Sequence, residues 1–145
     1  MGEVRVQVRL TNVAEAAAFG AGQIGADQVR FVEADALVDT GAVRSRVPRP
    51  LLERLGIIVL ETMLVEYANG QKEAVGVAEV VRFEIMHRRS SDDALALGDE
   101  VLIGQTILEK MDLLVDRGGA CGVHHEGVVN CARGRARSPR PNSHT

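Results

Sequence analysis

Apolar and polar side chains alternate at the start of the chain. In residues 3–10 every second side chain is valine or leucine, which is the period of a β-strand with one buried face. Residues 29–38 are predicted to form a second strand that leads directly into Asp39. Between these two strands, Asn12 precedes an alanine-rich segment that glycines soon interrupt, and this pattern predicts a short helix or a loop.

The middle of the chain has the signals of a helix followed by a hairpin. Pro48 and Pro50 suit the first turn of a helix, and Gly56 suits the left-handed position after its last turn. Residues 57–67 and 72–86 are extended runs, and the Asn-Gly pair between them is a strong short-range signal for a β-hairpin. The other predicted elements before residue 117 are strands over 93–97, 101–103 and 112–116 and a helix over 104–111.

Length and composition indicate one mostly β domain with a short tail. A chain of 145 residues with 46% hydrophobic and 26% charged residues has the size and apolar content of a single globular domain. A two-lobed enzyme with both lobes in one polypeptide is excluded at this length, so a paired active site would need two chains. Residues 1–126 are predicted to form the domain. Residues 127–145, rich in Arg, Gly, Ser and Pro without periodicity, are predicted to be a basic, disordered tail.

Charge and aromatic content argue against several classes of partner. The net charge is −3, and the chain has no Trp, one Tyr and three Phe, whereas a nucleic-acid surface would need a basic stripe and stacking side chains. The longest uncharged stretch, residues 16–26, is far shorter than the roughly 18 apolar residues of a membrane span. Glu3, Arg5 and Arg9 interrupt the only candidate for a secretory signal. We therefore expect no nucleic acid, no membrane and a cytoplasmic location.

The cysteines and histidines do not form a metal-binding pattern. Cys121 and Cys131 are the two cysteines of the chain, and a lone pair in a chain expected in the cytoplasm is more often two free thiols than a disulfide. His124 and His125 lie between them, but neither the paired-Cys nor the His-x-x-x-His spacing of a zinc site is present. No metal and no cofactor are expected, and a metal-dependent hydrolase is the weakest functional hypothesis.

The main candidate for a catalytic site lies at the end of the second predicted strand. Asp39-Thr40-Gly41 follows an uncharged strand end, which places a carboxylate in a tight turn at the edge of buried structure. These are also ordinary turn residues. An Asp-Thr-Gly triplet after two apolar residues is nevertheless expected by chance in well under about one per cent of chains of this length. Later in the chain, the apolar residues 102–103 meet Gly104 at the start of a predicted helix.

These segments resemble the retropepsin-like aspartic proteases. The family pattern is an apolar pair before Asp-Thr-Gly-Ala, then a hairpin called the flap, then an apolar pair and Gly before a helix. The matching segments are 37–42, 67–70 and 102–104. The amino-acid sequence of this part of the chain is most similar to that of small bacterial and archaeal proteins of this group. The resemblance covers residues 1–116 and implies a small closed β-barrel with a flap hairpin and one or two short helices, one lobe per chain. After Asp116 a glycine-rich segment stands where related proteins continue into a strand that helps to hold the dimer.

The resemblance implies an aspartic endopeptidase that acts on a polypeptide substrate as a homodimer, with one Asp39 from each chain. Two carboxylates about one water apart share a proton, so one Asp39 would act as general base on water while the other donates to the scissile carbonyl oxygen. Thr40 would hydrogen-bond across the dimer axis, and Gly41 would let substrate approach the backbone. Ala42 would line the substrate site, and it lacks the hydroxyl that a serine there could aim at the carboxylate.

The flap candidates for substrate binding are Tyr67, Ala68, Asn69 and Gly70. A hairpin that closes over an extended peptide offers backbone donors and acceptors, Gly70 would make its tip mobile, and Asn69 tolerates a positive φ. A plain surface hairpin is the alternative, and Tyr67 either contacts substrate or is half-buried packing. The alternative function is a dimeric peptide-binding or scaffold protein with the same fold and little or no catalysis.

Two arginines follow the predicted catalytic turn. Arg44 and Arg46 alternate with uncharged residues, so they are expected to share one face of a strand that leaves this turn. Their side chains either contact acidic substrate residues or face solvent or a dimer partner. A position facing solvent or a dimer partner is favoured.

Overall fold

Six strands close into a small β-barrel. The computed structural model describes residues 3–115 and, as backbone only, residues 123–125 and 128–129. The strands are β1 (Val4–Asn12), β2 (Phe31–Val38), β3 (Arg46–Val47), β4 (Val59–Glu66), β5 (Lys72–Ile85), β6 (Arg88–Ala96), β7 (Leu102–Ile103), β8 (Leu114–Val115), β9 (Val123–His125) and β10 (Val128–Val129). The barrel order is β1-β2-β7-β3-β6-β5, and it closes because β1 also pairs with β5. The predicted mostly β, closed-barrel fold is confirmed.

The long strand β5 has two different neighbours along one edge. Its first half pairs with β4 from Lys72 to Ala78, and its second half pairs with β1 from Val81 to Glu84. The register of its pairing with β6, on the other edge, shifts between Ala78 and Val81, as expected of a β-bulge, which bends a strand. This bend lets β4 and the start of β5 leave the barrel as a hairpin.

The barrel core is filled from both the sheet and two of the three helices. The helices are α1 (Val13–Gly20), α2 (Arg49–Leu55) and α3 (Gln105–Met111), with a 3-10 turn at Ala26–Gln28. Leu10, Phe83 and Ile103 from the strands pack in one cluster with Leu52 of α2 and Ile107 of α3, and none of the five is more than 1% exposed. Each such side chain contributes about 1.5–3 kcal/mol through its burial, so the two helices are fixed to the barrel.

The segment after β1 is a helix, which settles the choice between helix and loop. The Asn12 side chain caps α1 by accepting a hydrogen bond from Glu15 N at 2.9 Å, as expected of an asparagine N-cap. The amide of the same side chain donates to Leu55 O at 2.8 Å in a buried contact. At the end of α2, Gly56 adopts the predicted left-handed conformation with a φ of 72°.

The strand predicted over 93–97 is longer than expected. β6 begins at Arg88 and is joined to β5 by a two-residue turn at Met86 and His87, whose φ angles are 52° and 67°. Positive φ at both central residues is the backbone of a type I′ turn, which normally contains Asn or Gly. Since neither residue type is present here, no local signal predicted a turn at this position. The last predicted strand is also shorter than 112–116, because Asp112, with a φ of 60°, ends α3.

A second, small sheet follows the barrel. Backbone at 123–125 and 128–129 forms β9 and β10, and β9 pairs antiparallel with β8 on one side and with β10 on the other. The sequence pattern predicts no strand in this part of the chain, so these two short strands differ from it. The other residues beyond 115, including most of the predicted disordered tail, lie outside the described residues, and the boundary at residue 127 stays a prediction.

Within the described part of the chain, no helix has the length and apolar character needed to cross a bilayer.

The β5–β6 turn generates a prediction about stability. Replacing the exposed His87 by Gly should stabilise the fold by about 0.5–1 kcal/mol, because a left-handed backbone costs a side-chain-bearing residue more than it costs glycine. Urea unfolding followed by circular dichroism measures the change. His87→Ala is the control, since it removes the imidazole and keeps the strained backbone. Equal stabilities of the two variants would show that the turn is not strained.

Candidate active site

Asp39 lies at the end of a strand that is paired in parallel. Leu37 and Val38 of β2 lie opposite Leu102 and Ile103 of β7. The hydrogen bonds of this ladder extend one residue beyond β2, because Asp39 N donates to Ile103 O at 3.0 Å. The backbone of Asp39 is therefore held by the sheet, while its side chain is exposed on the described chain.

The turn after Asp39 is held by the carboxylate itself. Asp39 Oδ1 accepts a hydrogen bond from Gly41 N at 2.9 Å, and Ala42 N donates to Asp39 O at 3.1 Å. This is the local bonding by which aspartate favours turns. A Cβ at position 41 would lie 3.2 Å from Asp39 Oδ1. Glycine at this position therefore avoids a close contact with the carboxylate oxygen. Residues 39–42, which we call the Asp39 loop, thus include the three predicted catalytic residues, with Thr40 half-buried, and Ala42, which was predicted to line the substrate site.

The chain then passes very close to the start of α3. A Cβ on Gly104 would lie 2.8 Å from the carbonyl oxygens of Val43 and Arg44, a distance that real side chains do not adopt. The first N–H groups of α3 donate to the same segment, from Gln105 N to Ala42 O at 2.7 Å and from Thr106 N to Val43 O at 3.2 Å. Gly104 is therefore required by packing, and the helix fixes the far side of the Asp39 loop.

Ser45 completes this junction, and the sequence analysis assigned it no role. It is only 2% exposed, and its Oγ accepts a hydrogen bond from Gly104 N at 2.9 Å. A signal was available in the sequence, because Ser45 has the same parity as the buried Val47, and a polar residue in a buried position needs a partner. What the sequence could not supply is the identity of that partner, 59 residues away.

The hairpin candidates form a tight turn at the tip of β4 and β5. Gly70 N donates to Tyr67 O at 2.9 Å, and Tyr67 N donates to Gln71 O at 2.8 Å. Gly70 has a φ of 87°. Asn69 does not adopt the positive φ that it tolerates, since among the described residues the non-glycine positions with positive φ are Met86, His87 and Asp112. Asn69 instead stabilises the turn through its side chain, whose Oδ1 accepts from Gln71 N at 2.9 Å.

Tyr67 is half-buried and bonded within its own hairpin. Its hydroxyl donates to Glu73 Oε1 at 2.6 Å. This hydrogen bond raises the pKa of the Tyr67 phenol, burial and the charge of Glu73 act in the same direction, and the charge of Arg46 opposes them. The half-buried packing that was one of the two expectations for Tyr67 is present, and contact with substrate stays a prediction. Ala68, Asn69 and Gly70 are exposed at the tip.

The structure thus brings together one group of predicted site residues and separates it from the other. Asp39, Thr40, Gly41 and Ala42 share one loop at the end of β2, whereas the hairpin tip follows β4. In the order of the sheet, β7, β3, β6 and β5 lie between β2 and β4. These four strands therefore separate the two groups of predicted site residues within the sheet.

Metal-ligating side chains do not cluster in the part of the protein that the structure describes. Residues 3–115 contain no group of three or more His, Cys, Asp or Glu side chains that could hold an ion. Cys121, Cys131 and the side chains of His124 and His125 lie outside the described residues.

Comparison with known proteins defines the class of the fold. No protein-family model matches the sequence, and no curated protein matches it. Among solved structures, the retroviral protease-like domain of Ddi1 from Leishmania major matches with a TM-score of 0.56 at 16% identity, over 90% of this chain and 94% of that chain. The simian foamy virus (mac) protease matches with a TM-score of 0.46 at 19% identity, over 72% and 91% of the two chains. EIAV protease gives a TM-score of 0.46 at 18% identity, over 54% and 76%. The match to the Ddi1 domain shows that the fold is that of a retropepsin-like protease domain.

The hydrogen bond between Ser45 and Gly104 generates a prediction about stability, with another serine of the chain as the comparison. Ser45→Ala leaves the buried Gly104 N–H without an acceptor, so it should lower the free energy of unfolding by about 1–3 kcal/mol. Ser90→Ala on β6 is the matched control, because that half-buried hydroxyl makes no hydrogen bond to the described residues; it should change stability by less than about 0.5 kcal/mol. Urea unfolding measures both, and equal effects would contradict a special role for Ser45.

Proposed function

We propose that this protein is an aspartic endopeptidase, and that it cleaves polypeptides as a homodimer with one Asp39 from each chain. The observation that carries the proposal is the geometry of Asp39 within a retropepsin-like fold. Its backbone is held in the β2–β7 ladder, one carboxylate oxygen is bonded to Gly41 N, and the side chain remains exposed. A carboxylate that is fixed in position and open to solvent can act on water or on a substrate.

In this proposal, a second copy of the chain supplies the second carboxylate that the reaction needs. Peptide hydrolysis by this route needs one carboxylate to take a proton from water and another to protonate the carbonyl oxygen. The described chain offers one Asp39 loop, and a two-fold axis beside that loop would bring two Asp39 side chains together. Two carboxylates in contact cannot both be ionised at low cost, so the pair would hold one shared proton. Thr40, which lies next to Asp39, would bond across the axis.

The β4–β5 hairpin is the proposed flap. Its tip is tightened by its own hydrogen bonds, and β4 pairs along one edge with β5. Such a hairpin can move as a unit while the barrel stays fixed, and its backbone can add to an extended peptide as a further strand. Ala68, Asn69 and Gly70 would then face the substrate backbone.

The Asp39 carboxylate is tested by an isosteric substitution. Asp39→Asn should reduce cleavage of a mixed peptide library by several orders of magnitude, because the amide can neither accept the proton from water nor share one with its partner. Mass spectrometry of the digests gives the cleavage rates. Asp112→Asn is the matched control, since Asp112 is exposed and its left-handed backbone suits asparagine. Rates close to wild type in Asp39→Asn would exclude the mechanism, and wild-type peptide binding without cleavage would favour the scaffold alternative.

The homodimer is tested by mixing chains. When wild type is mixed with an equal amount of Asp39→Asn and the chains exchange, the activity per wild-type chain should fall to about half, because mixed dimers carry one carboxylate. Mixing with Asp112→Asn should leave activity per chain unchanged. If Asp39→Asn dilutes the wild type without inhibiting it, each chain is active alone and the two-carboxylate mechanism is wrong.

A further inference from the structure

One row of side chains crosses the sheet from the Asp39 strand to the flap hairpin. Paired residues of neighbouring strands project to the same face of a sheet. The register pairs Leu37 with Leu102, Leu102 with Arg46, Arg46 with Leu95, and Leu95 with Val77. This row, which we call the Arg46 row, therefore contains one charged residue among four apolar ones.

The Arg46 row lies on the face opposite to the barrel core. The residues next in sequence, Val38, Ile103, Val47 and Ala96, belong to the core cluster, and side chains alternate between the two faces of a strand. Leu95 and Leu102 are only 6% and 8% exposed, yet they are not part of that cluster. The row thus forms a second apolar strip outside the core cluster, along which Leu37, Arg46 and Val77 are half-buried. By alternation it is on the same face as Asp39, which is two residues after Leu37.

Arg46 has no acidic partner on this surface. Within residues 3–115 its side chain makes no salt bridge and no hydrogen bond. Its neighbour on the same face, Arg44, is already paired, because Arg44 Nη1 lies 2.8 Å from Asp93 Oδ1. Arg46 is also half-buried, and an arginine that packs beside apolar side chains without an ion-pair partner can take one from a ligand.

Neither Glu73 nor Glu61 neutralises Arg46. Glu73 is bonded to the Tyr67 hydroxyl at 2.6 Å. Glu61 pairs with Val77 and so lies one strand beyond the end of the row. Three strand spacings of about 4.8 Å place its backbone roughly 14 Å from that of Arg46. The charge of Arg46 opposes the rise in the pKa of the Tyr67 phenol.

We infer that Arg46 binds an acidic side chain of the peptide, so that the substrates are polypeptides with Asp or Glu close to the scissile bond. The inference rests on the proposed function, because the peptide must lie along the Arg46 row. Two strand spacings separate β2 from β3, which puts Arg46 about 10 Å from the end of β2. An extended peptide advances about 3.3 Å per residue. The acidic residue is therefore within about three residues of the bond that is cut.

The leucines on either side of Arg46 make the contact selective. An ion pair beside apolar side chains is stronger than one in open water, because the local dielectric constant is lower. The same surroundings penalise an amide or hydroxyl that cannot neutralise the guanidinium. Arginine also binds a carboxylate through two parallel N–H groups, a geometry that a lysine in this position would not reproduce.

Binding is measured first, with the chain that carries Asp39→Asn, so that peptide is not consumed. A randomised library of short peptides is equilibrated with this chain, the bound peptides are sequenced, and the best binder is resynthesised with Gln or Asn in place of its acidic residue. We expect the acidic peptide to bind about 10-fold more tightly than the amide peptide. Adding Arg46→Gln should abolish this difference, and adding Arg46→Glu should favour a peptide with Lys at that position.

Arg54→Glu is the matched control for charge. Arg54 is an exposed arginine in the last turn of α2, so its reversal changes the net charge by the same amount without touching the Arg46 row. It should leave the 10-fold preference unchanged. Thermal unfolding of each variant, with Arg46→Lys as a charge-preserving form, shows that the compared chains are folded.

The inference and the proposed function fail in different ways. Cleavage that depends on Asp39 but is indifferent to acidic residues, or an acid preference that persists in Arg46→Gln, would overturn the role of Arg46 and leave the protease intact. Acid-selective binding that depends on Arg46, with no cleavage by wild type, would overturn the protease and leave the role of Arg46 intact. Absence of peptide binding by every chain would overturn the role of Arg46.

Discussion

The site depends on the close contact between residues 43–44 and Gly104. No side chain fits between these two pieces of backbone, since the nearest atoms would lie 2.8 Å from a Cβ. The contact is reinforced by N–H groups of α3 that donate to the carbonyl groups of Ala42 and Val43. The helix itself is anchored by Ile107, which is fully buried in the barrel core. Core packing therefore determines the position of α3, and through α3 the position of the loop that presents Asp39.

The two parts of the proposed cleft differ in how firmly they are held. The Asp39 loop is bonded on both sides, by β7 and by the start of α3. The β4–β5 hairpin has one partner strand along β4, and large apolar side chains such as Leu60 and Leu64 are more than 60% exposed on it. Regions with few buried contacts open at lower free energy than the core. In the proposed protease, the firmly held Asp39 loop would stay in place while the weakly held hairpin opens to admit an extended peptide and then closes over it.

Local signals in the sequence predicted some parts of this structure and could not predict others. The Asp-Thr-Gly turn, the helix start at Pro48 and the left-handed Gly56 follow from backbone preferences of single residues, and all three are where they were expected. The β5–β6 turn was missed because Met86 and His87 adopt positive φ against their own preference, so the long-range pairing of the two strands outweighs the local cost. The partner of Ser45 and the Arg46 row were also inaccessible, because both are set by the register between strands far apart in the sequence.

Register also decides what kind of electrostatic effect Arg46 can have. The chain as a whole carries a net charge of −3, so its long-range field does not attract an acidic peptide. In our proposal, the preference for acidic substrates comes instead from the short-range contact at Arg46, beside Leu95 and Leu102, which are 6% and 8% exposed. Interactions between exposed charges fall off over about 8–10 Å at physiological salt, whereas a partly buried pair is screened much less. A shift of the register by one residue would turn Arg46 into the barrel core and expose Val47, so the pairing of β3 with β6 and β7 is what makes a charged residue tolerable, and useful, at this position.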